Sequence, residues 1–128
     1  MNYLPPIEYN VKRPSVVYSI ENNEFIERIK EFIVGDCCAI VIDNEIIFNS
    51  YEPKSIKDKI QDNIIRHEIM KYPYTLCSDM IKKNRNGKII IYMYDDFPWF
   101  VVINYDANNK VLKFDYYKSN KYMDKYPI

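Results

Sequence analysis

The sequence predicts an α+β fold: a single domain in which helices pack on a mostly antiparallel, five-stranded sheet. Two observations favour this class. Apolar residues recur at helical spacing in three segments, and five short apolar or alternating segments are bounded by turn residues. The predicted element order is α-β-β-α-α-β-β-β. Because the consecutive strands are joined by short turns, most of them should pair antiparallel.

Three helices follow from apolar spacing and from the residues at their ends. The first covers NNEFIERIKEFIVG, residues 22–35, and Gly35 ends it. Its apolar face consists of Phe25, Ile26, Ile29, Phe32 and Ile33. The second begins after Ser55, with Asp58 in a capping box, and its apolar stripe consists of Ile56, Ile60, Ile64, Ile65 and Ile69. Pro73 interrupts the pattern, and Thr75 should cap a third helix that carries Leu76, Met80 and Ile81.

The predicted strands cover residues 37–42, 45–50, 88–94, 99–105 and 110–117, and SVVYS, residues 15–19, favours one further short strand. Strand 37–42 is apolar on both faces, which predicts a central position, whereas strand 45–50 should be more exposed and lie at an edge. The last strand should turn Leu112, Phe114 and Tyr116 inward and Lys113, Asp115 and Tyr117 outward. Residues 1–14 should form an extended arm, and residues 118–128 a polar tail.

Composition excludes several classes of protein. The chain of 128 residues has 18 basic and 18 acidic side chains, and this zero net charge disfavours a dedicated nucleic-acid binder and an acidic DNA mimic alike. The N-terminal MNYLPPIEYNVKRP lacks the pattern of a signal peptide, and no apolar run is long enough for a membrane span. Three cysteines, an odd number, indicate a reducing compartment. We therefore expect a cytoplasmic protein, in the host-cell cytoplasm if it is viral, with no membrane partner.

Groups that could carry catalysis are few. His67 is the only histidine, and Cys37 and Cys38 lie in a strand that should be buried, where thiols are packing groups. No C-x₂-C pair indicates a zinc site, and two glycines in the whole chain exclude a Gly-rich phosphate loop. Asp95 and Asp96 are turn residues first. We expect no catalytic residue, metal site or cofactor.

The element order resembles that of roadblock, longin and profilin-like domains by topology only. No sequence motif is shared with them, and a likeness of topology implies a fold without implying a function.

The stretch DDFPWFVVI, residues 95–103, is the densest aromatic segment and holds the only tryptophan. Phe97 falls in a turn, where burial is hardest to arrange, and aromatic anchors beside polar residues dominate protein interfaces. The 13 tyrosines favour the same use, although A/T-rich codons explain a tyrosine excess equally well. The candidate partner-binding residues are Asp95, Asp96, Phe97, Trp99, Tyr117, Tyr122 and Tyr126.

These residues lead us to expect a non-enzymatic protein-binding module that inhibits or holds a partner protein. Toxin-immunity proteins, viral or phage anti-defence inhibitors and adaptors are of this type, and a homodimer is a variant of the same idea.

The alternative is a small nucleic-acid or nucleotide-binding protein, with or without enzymatic activity, that uses the basic cluster KKNRNGK, residues 82–88. Cations at the end of a helix also simply complement its dipole. The residues of this alternative site are Lys82, Lys83, Arg85, Lys88, Tyr92 and Tyr94, with the tyrosines as stacking groups.

Overall fold

The computed structural model describes residues 4, 9–10, 15–22, 36–72, 74–94 and 98–118. The predicted first helix, apart from Asn22, lies outside these residues, and so do most of the predicted arm and the tail from residue 119 onward. Asn22 itself belongs to a 3-10 helix, Ile20–Asn22.

The sheet contains seven strands in six positions, all paired antiparallel. The strands are β1 (Tyr9–Asn10), β2 (Val16–Ser19), β3 (Asp36–Ile42), β4 (Glu45–Asn49), β5 (Gly87–Tyr94), β6 (Pro98–Asp106) and β7 (Val111–Lys118). Their order is β1-β7-β6-β5-β3-β4, and β2 shares the outer side of β7 with β1. The α+β class and the antiparallel sheet are thus confirmed. The predicted count of five strands is wrong by one position, because the two short N-terminal strands together extend the sheet beyond β7.

Two α-helices are described, α1 (Ile56–Lys71) and α2 (Thr75–Lys83). Ser55 caps α1 as predicted: its Oγ accepts a hydrogen bond from the backbone N–H of Asp58 at 3.2 Å. Thr75 does not cap α2 but is its first residue, and its hydroxyl donates to the carbonyl of Tyr72. Asn84 ends α2 in the left-handed conformation, at φ 48° and ψ 49°, which asparagine tolerates better than most residues.

One face of the sheet carries the main core beneath the helices. α2 packs against β5 and β6, whereas α1 reaches the sheet at β4. The helices contribute Ile69, Leu76, Cys77 and Met80 to this core. The strands contribute Cys37, Ile40, Phe48, Ile89, Ile91, Met93, Val101, Ile103, Tyr105, Leu112, Phe114 and Tyr116.

The opposite face carries a smaller, aromatic core. The rings of Tyr92 and Phe100 meet edge to face with their centroids 4.7 Å apart, and Tyr51 packs on Tyr92 in the same manner. Ala39 and Val41 complete this cluster. β3 and the centre of β6 are therefore buried on both faces, as their two-sided apolar patterns predict.

Asp115 lies on the side of β7 opposite to Phe114 and Tyr116, as the alternation predicts, but that side does not face water here: the residue is only 7% exposed. Its carboxylate accepts a hydrogen bond from the Ser15 hydroxyl, and Lys113 Nζ lies 3.8 Å away. Because β2 pairs along β7, it brings Ser15 and a neighbouring strand over a side that would otherwise face water. Hydrogen bonding and the nearby cation compensate for burying the carboxylate.

Gly87 begins β5 directly beneath α2, and the approach of the two elements leaves no room for a side chain. A Cβ at this position would lie 2.9 Å from Met80 Cγ and closer still to Met80 Sδ. Met80 is itself buried, so it cannot simply swing into solvent.

We predict that Gly87→Ala lowers the free energy of unfolding by about 1–3 kcal/mol, since it overpacks the contact between α2 and β5. Urea unfolding followed by circular dichroism measures this loss. Met80→Ala is the matched control: on its own it leaves a cavity, but combined with Gly87→Ala it removes the clash. The double variant should therefore lose less stability than the two single losses added together. Additive losses would contradict the steric explanation.

Candidate functional site

Helix α1 is apolar on two sides, and the described residues of the chain cover only one of them. Ile65 and Ile69 face the sheet, and Ile69 is 8% exposed. Ile56, Ile60 and Ile64 recur every four residues and lie together on the roughly opposite side, because the helix turns about 100° per residue. Their side chains are 78%, 56% and 53% exposed. We call these three residues the α1 outer stripe.

The single apolar stripe predicted for this helix is therefore wrong: it divides into an inner pair and an outer stripe. Isolated exposed isoleucines are ordinary on protein surfaces, whereas a contiguous apolar row is typical of an interaction site. Full burial of an isoleucine side chain contributes about 1.5–3 kcal/mol of favourable free energy. A partner that covered the outer stripe would gain part of this contribution from each isoleucine.

Ionic contacts fix which side of α1 faces outward. Lys54 Nζ lies 2.5 Å from Asp62 Oδ2, and both side chains are more than four-fifths buried. Breaking such a covered pair would leave an uncompensated charge, so rotation of the helix about its axis is costly. Arg66 donates to Asn63 Oδ1 at 2.6 Å along the flank of the same helix. The α1 outer stripe is therefore held toward solvent by the contacts of the opposite side.

The predicted partner-binding residues are only partly described. Asp95, Asp96, Phe97, Tyr122 and Tyr126 lie outside the described residues, and Trp99 is described only as a position of β6, paired with Met93 and Lys118. Tyr117 is half-buried and packs against the aromatic core of the face opposite to the helices. Tyr117 and the α1 outer stripe thus lie on different sides of the molecule.

The basic cluster of the alternative site lies at the end of α2. Lys82, Lys83 and Arg85 are exposed, and Lys83 forms an ion pair with Asp79 at 3.0 Å. Lys88 follows on β5, where its backbone N–H donates to Asp43 Oδ1 at 2.9 Å.

The structure separates the tyrosines of the alternative site from its cations. Tyr92 is 5% exposed within the aromatic core, and this burial raises the pKa of its hydroxyl. Its ring is packed against Phe100 and is not open to a stacking base. Tyr94 is described only as a backbone position of β5, paired with Pro98.

Two of the three thiols lie in the core, and Cys38 is half-buried. Cys37 and Cys77 are fully buried, and burial raises the pKa of the Cys77 thiol to about 12. His67 is on the exposed surface of α1 and makes no described contact with either of these thiols. Across the described ranges, no group of three or more His, Cys, Asp or Glu side chains is arranged to hold a metal ion. Within those ranges, too, no helix has the length and apolar character needed to cross a membrane.

Sequence reasoning missed a polar cluster where three turns meet at one end of the sheet. Asn86 Oδ1 accepts from the backbone N–H of Ala107 at 2.8 Å, and the Tyr105 hydroxyl donates to Asn84 Oδ1 at 2.9 Å. Hydrogen bonds from Asn109 and Asn108 hold the pKa of the Asp106 carboxyl below its usual value. These groups use their hydrogen bonds to close turns, which makes them structural. The repeated Asp and Asn residues in these turns are the sequence signal from which this cluster could have been predicted.

Comparison with known proteins finds no match: no family model fits the chain, and neither a curated protein nor a solved structure is significantly similar to it. Function therefore has to be argued from the surfaces just described.

We predict that Cys77 resists alkylation in the folded protein. With a pKa of about 12, roughly one thiol in ten thousand is ionised at pH 8, and the residue is also shielded from reagent. Iodoacetamide treatment followed by peptide mass spectrometry should find Cys77 unmodified until guanidinium unfolds the chain. Rapid modification of Cys77 in native protein would show that the thiol is accessible and reopen the question of a nucleophile.

Proposed function

We propose that this chain is a non-enzymatic protein-binding module that inhibits or holds a partner protein, as immunity proteins, anti-defence inhibitors and adaptors do. The observation that carries this proposal is the α1 outer stripe: a regular, anchored helix displays three isoleucines to solvent while its other side is buried. Apolar residues at this spacing on one helix side are the anchors with which helices bind grooves or other helices.

The surroundings of the α1 outer stripe fit an interface better than a ligand pocket. Lys57, Asn63 and Glu68 are exposed polar residues that border the isoleucines, so an apolar centre is ringed by polar side chains. This is the arrangement in which interface hot spots gain most of their binding free energy. The helix side is convex, whereas small-molecule sites are concave. A protein surface is therefore the better-fitting partner.

Two finer points belong to the same proposal. We place the protein in the cytoplasm, because an odd number of cysteines, two of them adjacent in sequence, is typical of a reducing compartment. The likeness of element order to roadblock and profilin-like domains remains a proposal about topology and carries no part of the functional argument.

The nucleic-acid alternative keeps one observation in its favour. Lys82 and Arg85 are exposed and form no ion pair within the described part of the chain. Their positive charge is therefore available to a phosphate. The burial of Tyr92 removes one stacking group from this site and makes it the weaker of the two proposals.

If the alternative holds, oligonucleotide affinity should fall steeply between 50 and 200 mM salt, since bound phosphates release counterions. Fluorescence anisotropy with a labelled single-stranded oligonucleotide measures this dependence. The triple variant Lys82→Gln, Lys83→Gln, Arg85→Gln should abolish binding, with Lys110→Gln as a control at an exposed position on another turn. An oligonucleotide affinity that does not change with salt concentration, or that the triple variant retains, would eliminate the nucleic-acid function.

For the protein-binding function, we predict that the wild-type chain captures a stoichiometric protein from lysate of its native host. Two variants locate the contact: Ile60→Lys/Ile64→Lys on the α1 outer stripe, and Phe97→Ala/Trp99→Ala in the aromatic segment that the sequence singles out, residues 95–103. Capture should be lost in at least one of them, because a buried anchor usually contributes 1–3 kcal/mol or more to binding.

Asn108→Lys is the matched control for this capture experiment, since it places the same cation at an exposed position in the turn between β6 and β7, away from α1. Mass spectrometry of the bound fraction reads the result, with circular dichroism confirming that each variant is folded. A wild-type chain that captures no protein would count against the proposed function.

A further inference from the structure

We infer that the protein which covers the α1 outer stripe is a second copy of this chain, with the two α1 helices packed antiparallel across a two-fold axis. The inference rests on the proposed function, since it names the partner at the same surface.

The α1 outer stripe can pair with itself. An isologous interface requires a surface that is its own complement, and antiparallel pairing about an axis between Ile60 and Ile64 places each of them against the other in the second copy. Spacings of four residues put the stripe's side chains in a row along the helix, so rows from two helices can interdigitate. All three isoleucines would leave water in this arrangement, which no described residue of the same chain achieves.

The flanking charges are complementary in this register. Lys57 and Glu68 are exposed and eleven residues apart, about three helical turns, so they lie on the same flank of the stripe. Antiparallel helices bring equal flanks together, and the register that pairs Ile60 with the partner's Ile64 also sets Lys57 beside the partner's Glu68. The two-fold symmetry produces this contact twice, once with each copy contributing the lysine. The other flank carries the uncharged Asn63 and Met70. Lys71 continues the line of the stripe beyond Ile64, but in this register it lies about 27 Å along the helix axis from its own symmetry copy, so these like charges do not meet.

The area available predicts a weak dimer. α1 has 16 residues and is about 24 Å long, and one pair of such helices buries less than the roughly 1,200 Å² of a standard interface. We therefore expect a dissociation constant on the order of micromolar, in the range of transient complexes. Such a dimer forms only where the protein is concentrated.

Sedimentation velocity of the full chain between 1 and 300 μM tests the inference through charge exchange. Wild type should shift from monomer to dimer across this range. Lys57→Glu should weaken the dimer roughly tenfold, because two attractive contacts become repulsive, and Glu68→Lys should do the same. The double variant Lys57→Glu/Glu68→Lys restores opposite charges at both contacts and should recover wild-type affinity. Asn108→Lys, in the exposed turn between β6 and β7 and away from α1, should leave the dimer unchanged.

All of these positions are exposed, so folding should be unaffected, and thermal unfolding checks each variant. A wild-type chain that stays monomeric at 300 μM would overturn the inference. So would a dimer that Ile60→Lys leaves intact, since another surface would then be responsible, or a double variant that fails to recover. A monomeric chain that still captures a different protein through the α1 outer stripe would overturn the self-association while the proposed function stands. Absence of both self-association and capture would defeat both.

Discussion

The whole structure depends on the burial of β5 on both of its faces. Ile89, Ile91 and Met93 point into the core beneath the helices, while Tyr92 points into the aromatic core of the other face. Because side chains alternate along a strand, a shift of register by one residue would exchange these two sets and bury the wrong side chains. The two cores thus specify the pairing of β5 with both β3 and β6, and every other element is attached to this unit.

The position of α1 follows from this arrangement. α2 occupies the space above β5 and β6, so α1 is left to pack at β4, two strands from β5 and at the rim of the sheet. A helix at a rim has fewer neighbours than a helix over the middle, and one side of it stays open. The α1 outer stripe is therefore a consequence of sheet order as well as of sequence, and the Lys54–Asp62 contact makes its orientation definite.

Much of the fold could be predicted, because strands and helices leave different periods in the sequence. The five long strands and both described helices lie within a residue or two of their predicted bounds. Periodicity does not predict whether a given side of a helix or strand faces a neighbouring element or solvent. Spacing identifies Ile56, Ile60, Ile64, Ile65 and Ile69 as one helix's apolar residues, but not which of them meet a neighbour. Asp115 reads as exposed by alternation, and only the pairing of β2 with β7 buries it. The strongest sequence candidates for binding, around Phe97, fall in a predicted turn outside the described residues, and neither period constrains the geometry of a turn.

The two edges of the sheet differ in whether a neighbouring strand covers them. On one side, β1 and β2 complete the hydrogen bonding of β7; on the other, β4 has one neighbour among the described strands and exposes Ile46 and Ile47. An open apolar strand of this kind can template cross-molecular ladders and, ultimately, fibrils. β4 is only five residues long, and a bulge beside Ile40 and Val41 interrupts its ladder. Both features shorten and distort the template. An insertion that lengthened β4, or a deletion that removed the bulge, would raise the risk of aggregation without touching any binding surface.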